Sequence, residues 1–141
     1  MELLITDTKA IHEIQKEFSE VFPFLKLEFF NSPYEEGKAQ PKSKMFTHDK
    51  KLSACRRLHN TGSLPLNKAY KVSDLEHELW SKFGLSAQVF RRSGNLWIET
   101  SLTDQWTLEQ QNREGLEMTG THKNPYKEAD DLDLTDRDKW A

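Results

Sequence analysis

Between Val72 and Glu99 the hydrophobic spacing switches from a helical to a strand period within one short run, VSDLEHELWSKFGLSAQVFRRSGNLWIE. Val72, Leu75, Leu79 and Phe83, with Trp80 beside them, recur at helical steps and so share one stripe. Ser73 and Glu76 have the spacing of a capping box, and Gly84 stands where a left-handed residue closes a helix. Leu85, Ala87 and Val89 then alternate with Ser86 and Gln88, the pattern of a half-buried strand. Ser93-Gly94 reads as a two-residue turn into a further strand over Asn95–Thr100. In that register Phe90 faces Trp97, Val89 faces Ile98 and Arg92 faces Asn95.

The N-terminal part carries the same pattern. A short apolar run, Glu2–Ile5, precedes candidate caps at Thr6, Asp7 and Thr8. Ile11, Ile14, Phe18, Val21 and Phe22 form a helical stripe that Pro23 ends, and Leu25, Leu27 and Phe29 alternate beyond it. At an offset of 61, Leu3 falls on Leu64, Ile5 on Leu66, Ile11 on Val72, Ile14 on Leu75, Phe18 on Leu79 and Phe22 on Phe83. Past the helix an offset of 60 restores the match, Leu25 with Leu85, Leu27 with Ala87 and Phe29 with Val89. The change of offset is required, because a one-residue slip turns every strand side chain to the other face. The chain therefore reads as two β-α-β units, residues 2–30 and 63–91, an internal duplication; accidental similarity of two amphipathic segments is the plainer reading.

Residues 31–61 separate the units. Asn31–Lys44 has loop composition, and Thr47–His59 reads as a short helix with Leu52 and Cys55 on one side. Pro65 falls inside the strand of the second unit, where it donates no ladder hydrogen bond. After the added strand, Thr103 or Asp104 caps a helix through Trp106 and Leu108 to Glu114, with Gly115 as its stop. Residues 116–141 read as an acidic, disordered tail. Two tandem β-α-β units predict an α+β fold, a ferredoxin-like sandwich with an added C-terminal strand and helix, in one domain over residues 1–115.

Charge bounds the partners. The net charge of −3 is carried by residues 126–141, with six acidic and three basic side chains. The remainder is balanced, which argues against a strongly basic nucleic-acid binder. No apolar run approaches a membrane span, so no membrane partner is expected. The single cysteine, Cys55, has no internal disulfide partner, and the expected location is the cytoplasm.

The sandwich model assigns Leu25, Leu27, Leu85, Ala87, Val89 and Ile98 to the face under the helices. The opposite face receives Lys26, Glu28, Phe30, Ser86, Gln88, Phe90, Trp97 and Glu99. Aromatic side chains on an open polar sheet are how RNA-recognition modules stack bases, with arginines to hold phosphates. Phe30, Phe90, Trp97, Arg91 and Arg92 are therefore the candidate binding residues. A plainer reading has the last helix fold back and lay Trp106 and Leu108 over the rings.

Catalytic signals are weak. Cys55 and His59 stand four apart on the expected helix, with His48 upstream, and an enzyme would need Cys55 as a reactive thiol. A buried structural cysteine is the simpler reading. Asp131, Asp133, Asp136 and Asp138 resemble calcium-loop spacing only superficially, and the loop's glycine and terminal glutamate are missing. No phosphate loop, zinc-protease or nucleophile-elbow motif occurs, and no cofactor is expected.

The block FGLSAQVFRRSGNLWIETSLTDQWTLEQQNREG, from Phe83 to Gly115, resembles a family of small uncharacterised bacterial proteins, and FPFLKLEFF near the N-terminus is similar more loosely. The resemblance implies a bacterial cytoplasmic origin and supplies no activity, cofactor or catalytic residue. The residues predict a non-catalytic interaction or regulatory module working through the open sheet face, the edge strand or the tail. A protein partner or a homodimer is the expected partner, and single-stranded nucleic acid is the alternative.

Overall fold

The structure is a computed structural model that describes residues 1–120. The described chain is an α+β fold with β1 (Glu2–Ile5), α1 (Ile11–Val21), β2 (Leu25–Phe29), β3 (Gly62–Pro65), α2 (Val72–Phe83), β4 (Ala87–Ser93), β5 (Leu96–Glu99) and α3 (Leu108–Gly120). The expected acidic tail lies outside the described residues except for its first turn, which belongs to α3.

The two β-α-β units pair strand against corresponding strand. β1 runs antiparallel to β3 with Leu3 opposite Leu64, and β2 runs antiparallel to β4 with Glu28 opposite Gln88. These are the residues equated by the two sequence offsets, so a local two-fold relation passes through each pairing. Pro65 is tolerated because β3 belongs to a two-stranded sheet and is flanked by a free edge.

A ferredoxin-like sandwich places all four repeat strands in one sheet. Here they divide into a β1–β3 sheet and a β2–β4–β5 sheet. The hydrogen bonding explains the division. On α1, Gln15 Nε2 donates to Leu27 O (2.6 Å) and Ser19 Oγ to Leu25 O (3.0 Å), occupying the outer edge of β2. On α2, Glu76 Oε2 accepts the Val89 N–H (2.8 Å), and Thr100 Oγ1 donates to Val89 O (2.8 Å) where β4 has no strand neighbour. Gln15 and Glu76 fall on each other at the first offset, so each helix closes the edge of its own unit's strand. Backbone groups satisfied in this way are not available to a further strand.

One core serves both sheets. Leu3 and Ile5 of β1, Leu64 of β3, Ile11, Ile14 and Phe18 of α1, and Val72, Leu75 and Leu79 of α2 are fully buried with Leu25, Leu27, Ala87 and Val89. The stripe residues named by periodicity are thus buried, except that Val21 is partly buried and Trp80 is exposed.

The caps differ from expectation. α2 begins one position pair earlier, with the Lys71 N–H donating to Asp74 Oδ2 (3.1 Å). Ser73 is not the cap because its N–H donates to Asp104 O (2.8 Å), and the Glu76 carboxyl is already held by β4. α1 starts after Ala10, with Glu13 Oε1 accepting the Ala10 N–H (2.9 Å), rather than at Thr6, Asp7 or Thr8. Gly84 does adopt the left-handed conformation expected of it, at φ 65°.

α3 runs straight through Gly115. Its start is a capping box of Thr107 and Gln110, whose side chains each accept the other's backbone N–H (3.1 and 2.8 Å). A Cβ on Gly115 would lie 2.8 Å from Phe24 Cβ and 3.1 Å from Phe24 O. The glycine is there for close packing on the sheet, not as a stop.

Between the repeats, Thr47–His59 is not a helix. It contains a single 3-10 turn at Leu52–Ala54, and the segment is pinned residue by residue. Ile11 N–H donates to Lys50 O (2.9 Å), Leu52 N–H to Lys9 O (2.9 Å), and Phe46 N–H to Phe29 O (2.8 Å).

Candidate interaction surface

The sheet face expected to be open is half covered. The inserted segment crosses it, with Gln40 N–H donating to Gln88 Oε1 (2.9 Å) and Gln40 Nε2 to Ser86 Oγ (2.8 Å). Glu28 is buried under the same segment, accepting from His48 Nε2 (2.9 Å) and Gln15 Nε2 (3.3 Å) and paired with Lys26 Nζ (3.0 Å). Phe30 is buried too, bridged to Met45. It is a core residue, not part of a binding surface.

Among the described residues no helix covers the far end of the face. The β4–β5 turn is Gly94-Asn95, one residue later than expected, so Trp97 faces Arg92 and Phe90 faces Glu99. Gly94 has φ 64° while Asn95 stays negative, the requirement of a hairpin turn with glycine at its first central position. Both strands shift together, so Phe90, Arg92, Trp97 and Glu99 still share one face. Lys26 Nζ lies 4.9 Å from the Trp97 ring centroid and 5.8 Å from that of Phe90, and the Arg92 guanidinium lies 5.7 Å from Trp97. Two cations therefore bracket one half-exposed indole. Phe90 itself is 8% exposed and serves as the floor.

Arg91 points the other way. Its Nη1 donates to Gln111 Oε1 (2.8 Å) on α3, and its guanidinium lies 5.6 Å from the Trp106 ring. α3 thus packs on the Arg91 face, and Leu108 enters the core. The last helix does not cover the Phe90–Trp97 rings.

β5 is the outermost strand. Arg92 N–H donates to Phe24 O (2.9 Å), away from β5, so the Arg92–Trp97 pair is of the non-hydrogen-bonded kind. The N–H and C=O of Trp97 and Glu99 then point out from the sheet edge. Leu96 and Ile98, on the other face, are 63% and 40% exposed. Among the described residues no strand pairs with this edge.

The groups considered for catalysis have structural partners. Asp7 accepts from Arg56 Nε (3.0 Å) and Nη2 (2.8 Å) and pairs with His59 Nδ1 (2.8 Å), while Arg56 Nη1 also reaches Phe83 O (3.3 Å). Desolvation works to raise the Asp7 pKa, but the bonds and charges of Arg56 and His59 outweigh it and hold the carboxyl below its ordinary value. His59 is thereby turned to Asp7, while Cys55 Sγ donates to Lys51 O (3.4 Å). Burial pushes the Cys55 thiol up to about 11, the direction opposite to nucleophile activation. Among the described residues no three His, Cys, Asp or Glu side chains are grouped to hold a metal ion.

One acidic cluster is buried. The Glu76 carboxyl is pushed up to about 8, chiefly by burial, with Asp104 and Glu99 adding to the rise against the Val89 N–H. The Tyr34 hydroxyl lies beside it without completing a well-formed hydrogen bond, and its own pKa is raised first by burial and then by the Glu76 charge. Asp104 Oδ2 accepts the Gly37 N–H (3.0 Å), tying the inserted segment to the start of α3. A shallow depression lined by Tyr70, Asp74, His77 and Glu78 lies open on the outer side of α2.

No family model, curated protein or solved structure matches this chain. Among the described residues no helix is long and apolar enough to cross a membrane.

Proposed function

We propose that this protein is a non-catalytic interaction module whose working surface is the β5 edge together with the Lys26–Arg92–Trp97 end of the sheet face. One observation carries the reading. β5 presents outward backbone donors and acceptors between an apolar strip, Leu96 and Ile98, and a cation-flanked indole. Such an edge recognises an extended segment, the ladder giving affinity and alternate side chains giving specificity. Of the devices that blunt a sheet edge, β5 is short and ends in Glu99, but it carries no lysine, proline or bulge.

Panning a random-peptide library against the full chain tests this. Selected peptides should be extended and apolar at alternate positions, and their addition should shift the amide resonances of residues 95–99. Binding should fall at least about tenfold in the L96K/I98K variant. Peptides that bind this variant as well as wild type would overturn the reading.

A second reading, a single-stranded nucleic-acid binder, is favoured by the bracketing of Trp97 by Lys26 and Arg92. Buried Phe30 and Phe90 leave it one stacking ring, and Arg91 belongs to the other face. Oligonucleotide-induced shifts at Lys26, Arg92 and Trp97 that fade as salt rises would promote it.

A further inference from the structure

We infer that the natural occupant of the β5 edge is the β5 edge of a second copy of this chain, paired antiparallel about a two-fold axis at Trp97. The inference rests on the reading of this edge as an interaction surface and names its partner.

Self-pairing is a demanding condition, because one strand must supply both sides of every contact. Opposed residues in an antiparallel pair share a face, so a two-fold axis must pass through a residue and its own copy. With the axis at Trp97, Leu96 meets Ile98 of the second copy, Ile98 meets its Leu96, and Asn95 meets its Glu99. The exposed apolar strip is then covered by its own complement. The outward amides fit as well. The Trp97 backbone points away from β4, so Trp97–Trp97 becomes a hydrogen-bonded pair, flanked by two Leu96–Ile98 pairs of the closer, non-hydrogen-bonded kind. Moving the axis to Ile98 keeps the amide parity and pairs Trp97 with Glu99, but it sets exposed Leu96 against buried Thr100 of the second copy. Only the Trp97 register matches the apolar strip to itself.

Among the described residues, both ends of β5 are tied back to their own protomer. Beyond Glu99 the chain turns away, with the Ser101 N–H and Oγ both bonded to the Glu99 carboxylate (2.9 Å each). At the other end the last turn of α3 is tied to the hairpin by Thr119 Oγ1, which accepts the Gly94 N–H (3.2 Å). Pairing joins two three-stranded sheets into one six-stranded sheet, β2-β4-β5 against its copy. A strand this short buries a small interface, which places the dimer among weak, reversible ones.

The test is sedimentation equilibrium of the full chain over a wide concentration range, joined to isotope-filtered NOEs on a mixture of labelled and unlabelled protein. The expected result is a mass that rises toward twice the monomer, with an intermolecular NOE between the Leu96 and Ile98 α-protons. L96K/I98K, altered at two exposed positions, should weaken the association at least about tenfold. A chain that stays monomeric at millimolar concentration would overturn the dimer. So would a dimer that L96K/I98K leaves intact, or intrachain NOEs showing Leu96 and Ile98 covered by residues 121–141. Library peptides that still map to β5 on a monomeric chain would leave the module reading standing, so the two failures are separable.

Discussion

Replacing Glu76 with glutamine is expected to raise the melting temperature above pH 8 and to leave it nearly unchanged below pH 4.5, the bounds set by the folded and ordinary values of this carboxyl. The folded state holds the Glu76 proton more tightly than the unfolded chain does, because burial disfavours the anion. Between those two values the native state therefore carries more protons, and wild-type stability falls as pH rises, levelling off above the folded pKa. Glutamine has no proton to lose. Its Oε1 can still accept the Val89 N–H, and its amide is free to donate toward Tyr34 or Asp104. Thermal melts of both proteins across the window check this, read as the difference between them so that other titrating groups cancel. A gain of about 5 to 10 °C at the alkaline end is the expected size for a domain of this length. If the two melting temperatures run parallel across the window, Glu76 is ionised in the fold at neutral pH and the account of its burial is wrong.

Adding a methyl group at Gly115 is expected to be the most damaging small change in the chain. Alanine is the better helix former by about 1 kcal/mol, so propensity alone predicts a gain. Packing decides otherwise. The new Cβ would stand 2.8 Å from Phe24 Cβ and 3.1 Å from Phe24 O, and a backbone oxygen on a strand-flanking turn cannot swing aside. Overpacking of this kind costs about 1–3 kcal/mol, and leucine at the same site should detach α3 altogether. The Asn112 Oδ1 bond to the Phe24 N–H (2.8 Å) and the Arg91–Gln111 bond would be lost with it. Thermal melts of Gly115→Ala and Gly120→Ala separate the two effects. At Gly120 a Cβ would make only ordinary contact with Leu116 Cδ1, at 3.5 Å, and the melting temperature should hold or rise. A Gly115→Ala protein as stable as wild type would show that α3 does not seat where it is placed.

Gly115 also marks where sequence reading stops. A glycine after a helical stripe looks the same whether it ends the helix or lets the helix touch a strand, and only the facing backbone tells them apart. Gly84 and Gly115 were indistinguishable in the sequence for that reason. What the sequence carries well is periodicity. The stripes of α1 and α2 and the alternation in β2 and β4 name most of the core, and the two offsets, 61 and 60, equate residues that stand opposite each other as Leu3–Leu64 and Glu28–Gln88. The way those pairs assemble into sheets was not legible. It depends on Gln15 and Glu76 spending polar side chains on strand edges, and both look like ordinary surface residues of an amphipathic helix.

The candidate surface was half legible. Trp97 and Arg92 share a face as alternation requires, despite the one-residue error in the turn. Phe30 and Arg91 do not belong to it, for different reasons. Phe30 is covered by an insert of loop composition whose path no periodicity records, and Arg91 falls on the core face of a strand that outruns the core. Ile98 was assigned to that same face, but β5 lies beyond the covering helices, and the residue ends exposed.

The exposed edge is the premise of the whole functional reading, and amide hydrogen exchange of the dilute full chain tests it residue by residue. Ile98, bonded toward β4, should exchange slowly. Trp97 and Glu99, pointing outward, should exchange at least about tenfold faster in dilute protein and slow down as the protein is concentrated. Trp97 and Glu99 amides as protected as Ile98 at every dilution would mean that the chain itself covers the edge, and the module would have no open strand to offer.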